Sequence, residues 1–151
     1  RKEKAVLLEE EIITQLTDLY MNQTQFKCNF TSSNNLHNQG LDEMKFMITT
    51  NVGQKLHALS DVASGGELSR LMLGMKCIFT RLTGVPTIIF DEVDTGVSGK
   101  VAFAIGRKMK QISKQAQVIC ITHLPQVASF ASHHLFVYKG VIDKQTKTAV
   151  K

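Results

Sequence analysis

Cysteine, long apolar runs and, in the last third, acidic residues are scarce in these 151 residues. Each scarcity removes a class of protein. Cys28, Cys77 and Cys120 are odd in number, far apart and without a CxxC pair. That argues against a disulfide framework or a zinc site and fits reduced thiols in cytoplasm. No apolar stretch approaches the ~20 residues of a membrane helix and no secretory signal opens the chain, so no membrane partner is expected. Repeats and low-complexity tracts are missing too. The chain opens on Arg1 rather than Met and is therefore read as a piece of a longer polypeptide. Its length suits one domain burying about 70% of its unfolded surface.

Composition, at 43% hydrophobic and 21% charged, is that of an ordinary soluble globular protein. The charge is unevenly placed. From Lys100 onward nine Lys/Arg face the single acid Asp143, so that third carries +8 and the remainder −3. Such a bias attracts nucleic acid, and it equally describes a solvated basic helix face.

Residues 1–20 read as a helix, with Ala5, Leu8, Ile12, Leu16 and Leu19 at helical spacing. Residues 26–30 and 43–51 read as strands, the second turning Met44, Phe46 and Ile48 inward, with a polar loop over 31–40. A second loop, 52–66, leads into a helix with one broad apolar face of Leu68, Leu71, Met72, Met75, Ile78, Phe79 and Leu82. Residues 87–90 and 118–122 are short continuous apolar runs, the pattern of strands buried on both faces of a parallel sheet. A helix over 99–114 joins them, apolar at Val101, Ile105, Met109 and Ile112. After Pro125 a short helix to about residue 131 and a strand over about 134–138 are expected. The order predicts an α/β domain with a mainly parallel sheet flanked by helices, plus an N-terminal helix and antiparallel strands.

Three segments carry candidate chemistry. The strand Ile88-Ile89-Phe90 ends in Asp91-Glu92, at the edge where open α/β sheets bind ligands. Adjacent carboxylates pointing differently divide the labour of nucleotide hydrolysis, one serving a magnesium ion and the other orienting water. Two ordinary loop acids fit as well. Ser64-Gly65-Gly66-Glu67 opens the second helix; its glycines and free amides suit a phosphate, while Ser-x-x-Glu is also a capping box. Thr122-His123 ends the second apolar strand, where a neutral imidazole could bond a phosphate or a water. His133 and His134 lack ligand spacing with His123.

Together the segments resemble the second half of an ABC-type ATPase head, a P-loop NTPase fold. The texts VASGGELSR at 62–70, FDEVDTGVSG at 90–99, ITHLPQVA at 121–128 and GLDE at 40–43 resemble the SMC-like RecN family of bacterial DNA repair proteins. The likeness runs from about residue 40 to 138. It implies a signature motif of Ser64, Gly65, Gly66 and Glu67 that meets ATP held by a partner head. It further implies Mg²⁺ coordination through water by Asp91, a catalytic role for Glu92, γ-phosphate sensing by His123, and a D-loop at the head–head interface holding Asp94 and Thr95. The implied partners are DNA, the second head of a homodimer and the chain's own N-terminal lobe; the implied location is cytoplasmic and nucleoid-associated. Residues 1–20 would end a coiled-coil arm and 21–151 would be the C-terminal part of the head. Other SMC-like or transporter cassettes, and a non-catalytic interaction fragment, are the alternatives.

One departure is large. The phosphate-cradling loop G-x-x-x-x-G-K-[ST] is missing. The near match ending in Ser98-Gly99-Lys100-Val101 has Asp94 where the first glycine belongs and Val101 in place of the hydroxyl. In the RecN family that loop lies upstream of the arm, so this chain alone is expected to be inactive.

Overall fold

A computed structural model describes residues 1–38, 40–61, 65–91, 93–97, 99–142 and 145–151, without the side chains of His37 and Ile142. Helix α1, Lys2–Thr17, buries Ala5, Ile12 and Leu16 on one stripe. It ends in a Schellman-type cap, with Tyr20 N–H donating to Thr17 O and Met21 N–H to Leu16 O, each at 3.0 Å. Tyr20 occupies the left-handed position of that cap at φ +60°, where glycine is usual. The accompanying apolar contact is supplied by Leu16 and Met21, both in one core cluster.

Strands β1 (Gln25–His37) and β2 (Gly40–Thr49) pair antiparallel, and β3 (His57–Ala58) adds to β2. The segment expected as a loop over 31–40 is therefore mostly strand, paired at Thr31, Ser32 and His37 with an irregularity between the last two. Backbone pairing, which polar side chains do not oppose on a solvated ribbon, carries the strands past the core. For the same reason Met44 lies exposed, while Phe46 is half-buried and Ile48 buried. Lys27 and the backbone N–H of Cys28 meet the Glu9 carboxylate at 2.7 and 2.8 Å, tying β1 to α1. Burial pushes the Glu9 carboxyl up, but these two donors outweigh it and hold the group below its ordinary range.

Helix α2, Gly65–Thr83, lies between two cores. Leu71, Met75 and Ile78 join Ile12, Leu16, Phe26 and Ile48. On the opposite side Leu73 joins Ile88, Phe90, Ile105 and Met109. The single broad face expected from the sequence is thus replaced by two opposed stripes. Met72, Phe79 and Leu82, which that face included, are exposed.

Strands β4 (Thr87–Asp91) and β5 (Gln117–Ile121) pair parallel, from Thr87 opposite Gln117 to Asp91 opposite Ile121. Helix α3, Gly99–Ile112, connects them, packing Ala102, Ile105, Met109 and Ile112 inward. Burial alternates along β4, which corrects the expectation of strands covered on both faces. Ile89, Ile119 and Ile121 stand exposed on the uncovered side of this pair. The short helix α4, Pro125–Ala128, leads to Phe130, whose ring approaches α3 so closely that a Cβ on Gly106 would meet it at 2.4 Å.

The last strand begins later than expected, as β6, Val137–Ile142. It forms an antiparallel ribbon with β7, Gln145–Val150, which the sequence reading had not anticipated. Among the described residues no helix is long and apolar enough to cross a membrane.

Candidate functional site

Because β4 and β5 run parallel and in register, the segments that leave their carboxyl ends emerge side by side. Asp91 is exposed at the end of β4. The turn that follows buries Val93 and folds back with Val97 N–H on Asp94 O at 3.3 Å. It carries Asp94 inward until the side chain is 0% exposed.

There the Thr122 hydroxyl, one residue past β5, donates to Asp94 Oδ2 and accepts from the Leu124 N–H at 3.0 Å. The second carboxylate oxygen, Oδ1, is buried without a hydrogen-bond partner among the described residues. His123 Nδ1 stands 3.9 Å from it, with the His123 side chain 69% exposed. A buried acceptor left unpaired costs about 1–3 kcal/mol, and a buried carboxylate facing an imidazole is a means of orienting it. With Nδ1 turned toward Asp94, Nε2 is the nitrogen left for a ligand. The Cys120 thiol on β5 is pushed up to about 11 by burial, with the Asp94 charge adding to the shift. It is a packed thiol rather than a nucleophile.

The start of α2 is joined to this turn. A Cβ on Gly66 would lie 3.4 Å from the Thr95 carbonyl oxygen, so glycine there lets α2 approach the turn. Arg70 Nε donates to Gly66 O at 3.2 Å, and Thr50 donates to Glu67 Oε2 at 3.0 Å, fixing the helix start to the end of β2. Ser64 and Glu92 lie outside the described residues. Asp91, Asp94 and His123 thus share the β4–β5 edge, and Gly66 contacts the same turn through Thr95. Gly65 and Thr95 are exposed.

The sequence reading missed Thr122 as the partner of Asp94. Its position beside His123 was visible, but nothing in the sequence reported that Asp94 turns inward. It also missed Lys76, whose ammonium lies 4.7 Å from the Phe90 ring centroid and 3.4 Å from Ile89 O, steadying β4 from α2.

Among the described residues no cluster of three His, Cys, Asp or Glu side chains could hold a metal. Magnesium is commonly held by one or two carboxylates together with phosphate oxygens and water. Asp91, exposed at the end of β4, fits as one part of such a site.

The fold is that of an SMC-type ATPase head. A Smc head domain with an extended coiled coil, bound to the C-terminal domain of ScpA and derived from Pyrococcus furiosus, superimposes with TM-score 0.69 at 16% identity, covering 98% of this chain and 35% of that one. A second structure, described for ATP-driven dimerization and DNA-stimulated activation of SMC ATPases, gives TM-score 0.56 at 16% identity over 100% of this chain and 89% of that one. No family model matches the chain.

In sequence the chain is a homologue of the C-terminal segment of RecN proteins. It is 49% identical over 166 residues to the DNA repair protein RecN of Bacillus subtilis, an alignment that takes in 100% of this chain and 29% of the relative. The chain thus spans under a third of the length of the curated relatives it matches.

Proposed function

We propose that the chain is the C-terminal part of an ATPase head in a RecN-like protein that acts in recombinational repair of DNA double-strand breaks. The observation that carries this reading is the convergence of Asp91, Asp94, Thr122 and His123 at the carboxyl edge of one parallel strand pair. In this reading, ATP and Mg²⁺ supply the phosphoanhydride to be cleaved and the charge that screens it. Asp91 would hold magnesium through water, and Glu92 would polarise the attacking water and take its proton. His123, with Asp94 Oδ1 behind its Nδ1, would present Nε2 toward the terminal phosphate. Ser64, Gly65, Gly66 and Glu67 face the nucleotide of a second, identical head, and exposed Thr95 is the D-loop residue a partner can touch.

The uncovered side of β4–β5, with Ile89, Ile119 and Ile121, and the exposed β6–β7 ribbon support a further lobe of the same polypeptide that completes the head and brings the phosphate-binding loop. Helix α1 would continue into the coiled-coil arm. DNA is the macromolecular partner and the cytoplasm, on the nucleoid, the place of action.

Glu92→Gln in the full-length protein tests the assignment. An amide cannot take the proton, so turnover should fall about 100-fold or more while ATP still binds. Sedimentation should then show an ATP-dependent dimer that persists. Turnover close to that of the parent protein removes Glu92 from catalysis.

A further inference from the structure

One groove among the described residues is lined by none of the side chains gathered at the β4–β5 edge. It has a volume of about 490 Å³ and runs between the end of α1 and the outer face of α3. Lys100, Phe103, Arg107 and Gln111 line it from successive turns of α3, on the side opposite the buried Ala102, Ile105 and Met109. Tyr20 lines it from the cap of α1.

Its charges are unevenly engaged. Lys108 and Asp18 also line the groove but are spent on each other, with Lys108 Nζ at 2.5 Å from Asp18 Oδ2 and 2.6 Å from Gln15 Oε1. Lys100 and Arg107 are exposed and make no ion pair among the described residues. Among the described residues Asp18 is the only acid lining the groove.

Two aromatic rings accompany the free cations. Phe103 is 49% exposed, its ring held edge-on by Phe130 at 6.3 Å. Tyr20 is 53% exposed although it occupies a left-handed backbone position that glycine fills without strain. The cap of α1 has no need of a tyrosine. Exposed rings between unpaired cations offer a base a stacking surface and a phosphate a counter-charge, the combination that holds a single strand with its bases free. A duplex keeps its bases stacked on one another and has no use for the rings.

We propose that this groove binds single-stranded DNA, with Lys100 and Arg107 on phosphates and with Tyr20 and Phe103 against bases. The choice of DNA as the polyanion rests on the function proposed above, whereas the groove's preference for a single strand rests on its own residues. Because α3 begins directly after the turn that carries Asp94 and Thr95, a strand bound at Lys100 would lie beside the segment that shapes the nucleotide edge.

Fluorescence anisotropy on the full-length protein tests this without nucleotide, using labelled oligo-dT and a duplex of equal length over a salt series. Lys100→Ala with Arg107→Ala should weaken oligo-dT binding at least tenfold and make the slope of log K against log salt shallower by about 1.4, the share of two phosphate contacts. Tyr20→Gly should leave the melting temperature unchanged or raised, since glycine suits the cap, yet weaken oligo-dT about tenfold and duplex far less. Oligo-dT binding that the cation variant leaves intact overturns the proposal. So does a Tyr20→Gly protein that binds oligo-dT like its parent, or that loses duplex and single strand equally. A parent protein that binds neither DNA overturns both this proposal and the DNA-associated reading, whereas intact DNA binding alongside absent ATP hydrolysis would sink only the ATPase assignment.

Discussion

Lys108 and Asp94 are the two buried charged side chains among the described residues, and their surroundings treat them in opposite ways. At the junction of α1 and α3, Lys108 is 6% exposed but finds both the Asp18 carboxylate and the Gln15 amide oxygen. At the β4–β5 edge, Asp94 is sealed from solvent with one oxygen bonded to Thr122 and the other left open beside His123. A charge paired inside the fold ties elements together; a charge buried half-paired costs stability and is retained for something else. The difference marks the α1–α3 junction as structural and supports the proposal that the β4–β5 edge is the working one.

The comparison can be broken at either end. The largest stability effect is expected at the junction. Asp18→Asn leaves Lys108 buried without its counter-ion and should cost about 1–2 kcal/mol, below the ~3–5 kcal/mol of a fully buried pair because Asp18 itself is 55% exposed. Lys108→Met removes the buried charge instead and should cost less than Asp18→Asn in the same denaturant titration. Equal losses would mean that the pair is not what holds α1 to α3.

At the edge the expected signs are reversed. Asp94→Asn keeps the shape and the contact with Thr122 but discharges the buried carboxylate. Stability should stay level or rise, while ATP turnover in the full-length protein should fall about tenfold through misplacement of His123. ATP affinity should change little. A variant that loses stability and keeps its turnover would return Asp94 to a structural role.

The smallest effect belongs to Glu9. Its carboxyl is held below the ordinary range in the folded chain, so its contribution is present above the unfolded pKa of ~4.3 and is lost as pH falls through the folded value. Glu9→Gln should therefore be less stable than its parent at neutral pH, with the gap closing below about pH 4. A gap independent of pH would point to packing rather than charge.

How much of this was legible in the sequence depended on what each segment packs against. Helices α1 and α3 were readable because each buries one stripe, Ile12 and Leu16 in one case and Ile105, Met109 and Ile112 in the other. Helix α2 was found, but its faces were not, because Leu73 and Met75 serve different cores and periodicity cannot name the neighbour. The ladder through Thr31 and Ser32 was hidden by polar side chains that say nothing about backbone pairing. At the edge, adjacency in sequence brought Asp91 and His123 forward. The inward turn of Asp94 and its bond to Thr122 needed the tertiary path of the chain.

The central claim, that two such heads share their ATP sites, is tested most directly by mixing two inactive full-length variants. One carries Ser64→Arg, which fills the place where a partner's nucleotide should arrive. The other carries a lesion in the phosphate-binding loop of the upstream lobe. A heterodimer then contains one site with both lesions and one with neither, so ATP hydrolysis should reappear on mixing, at up to half the parental rate per heterodimer. If heterodimers are shown to form by sedimentation and hydrolysis stays absent, independent sites composed across two heads are contradicted.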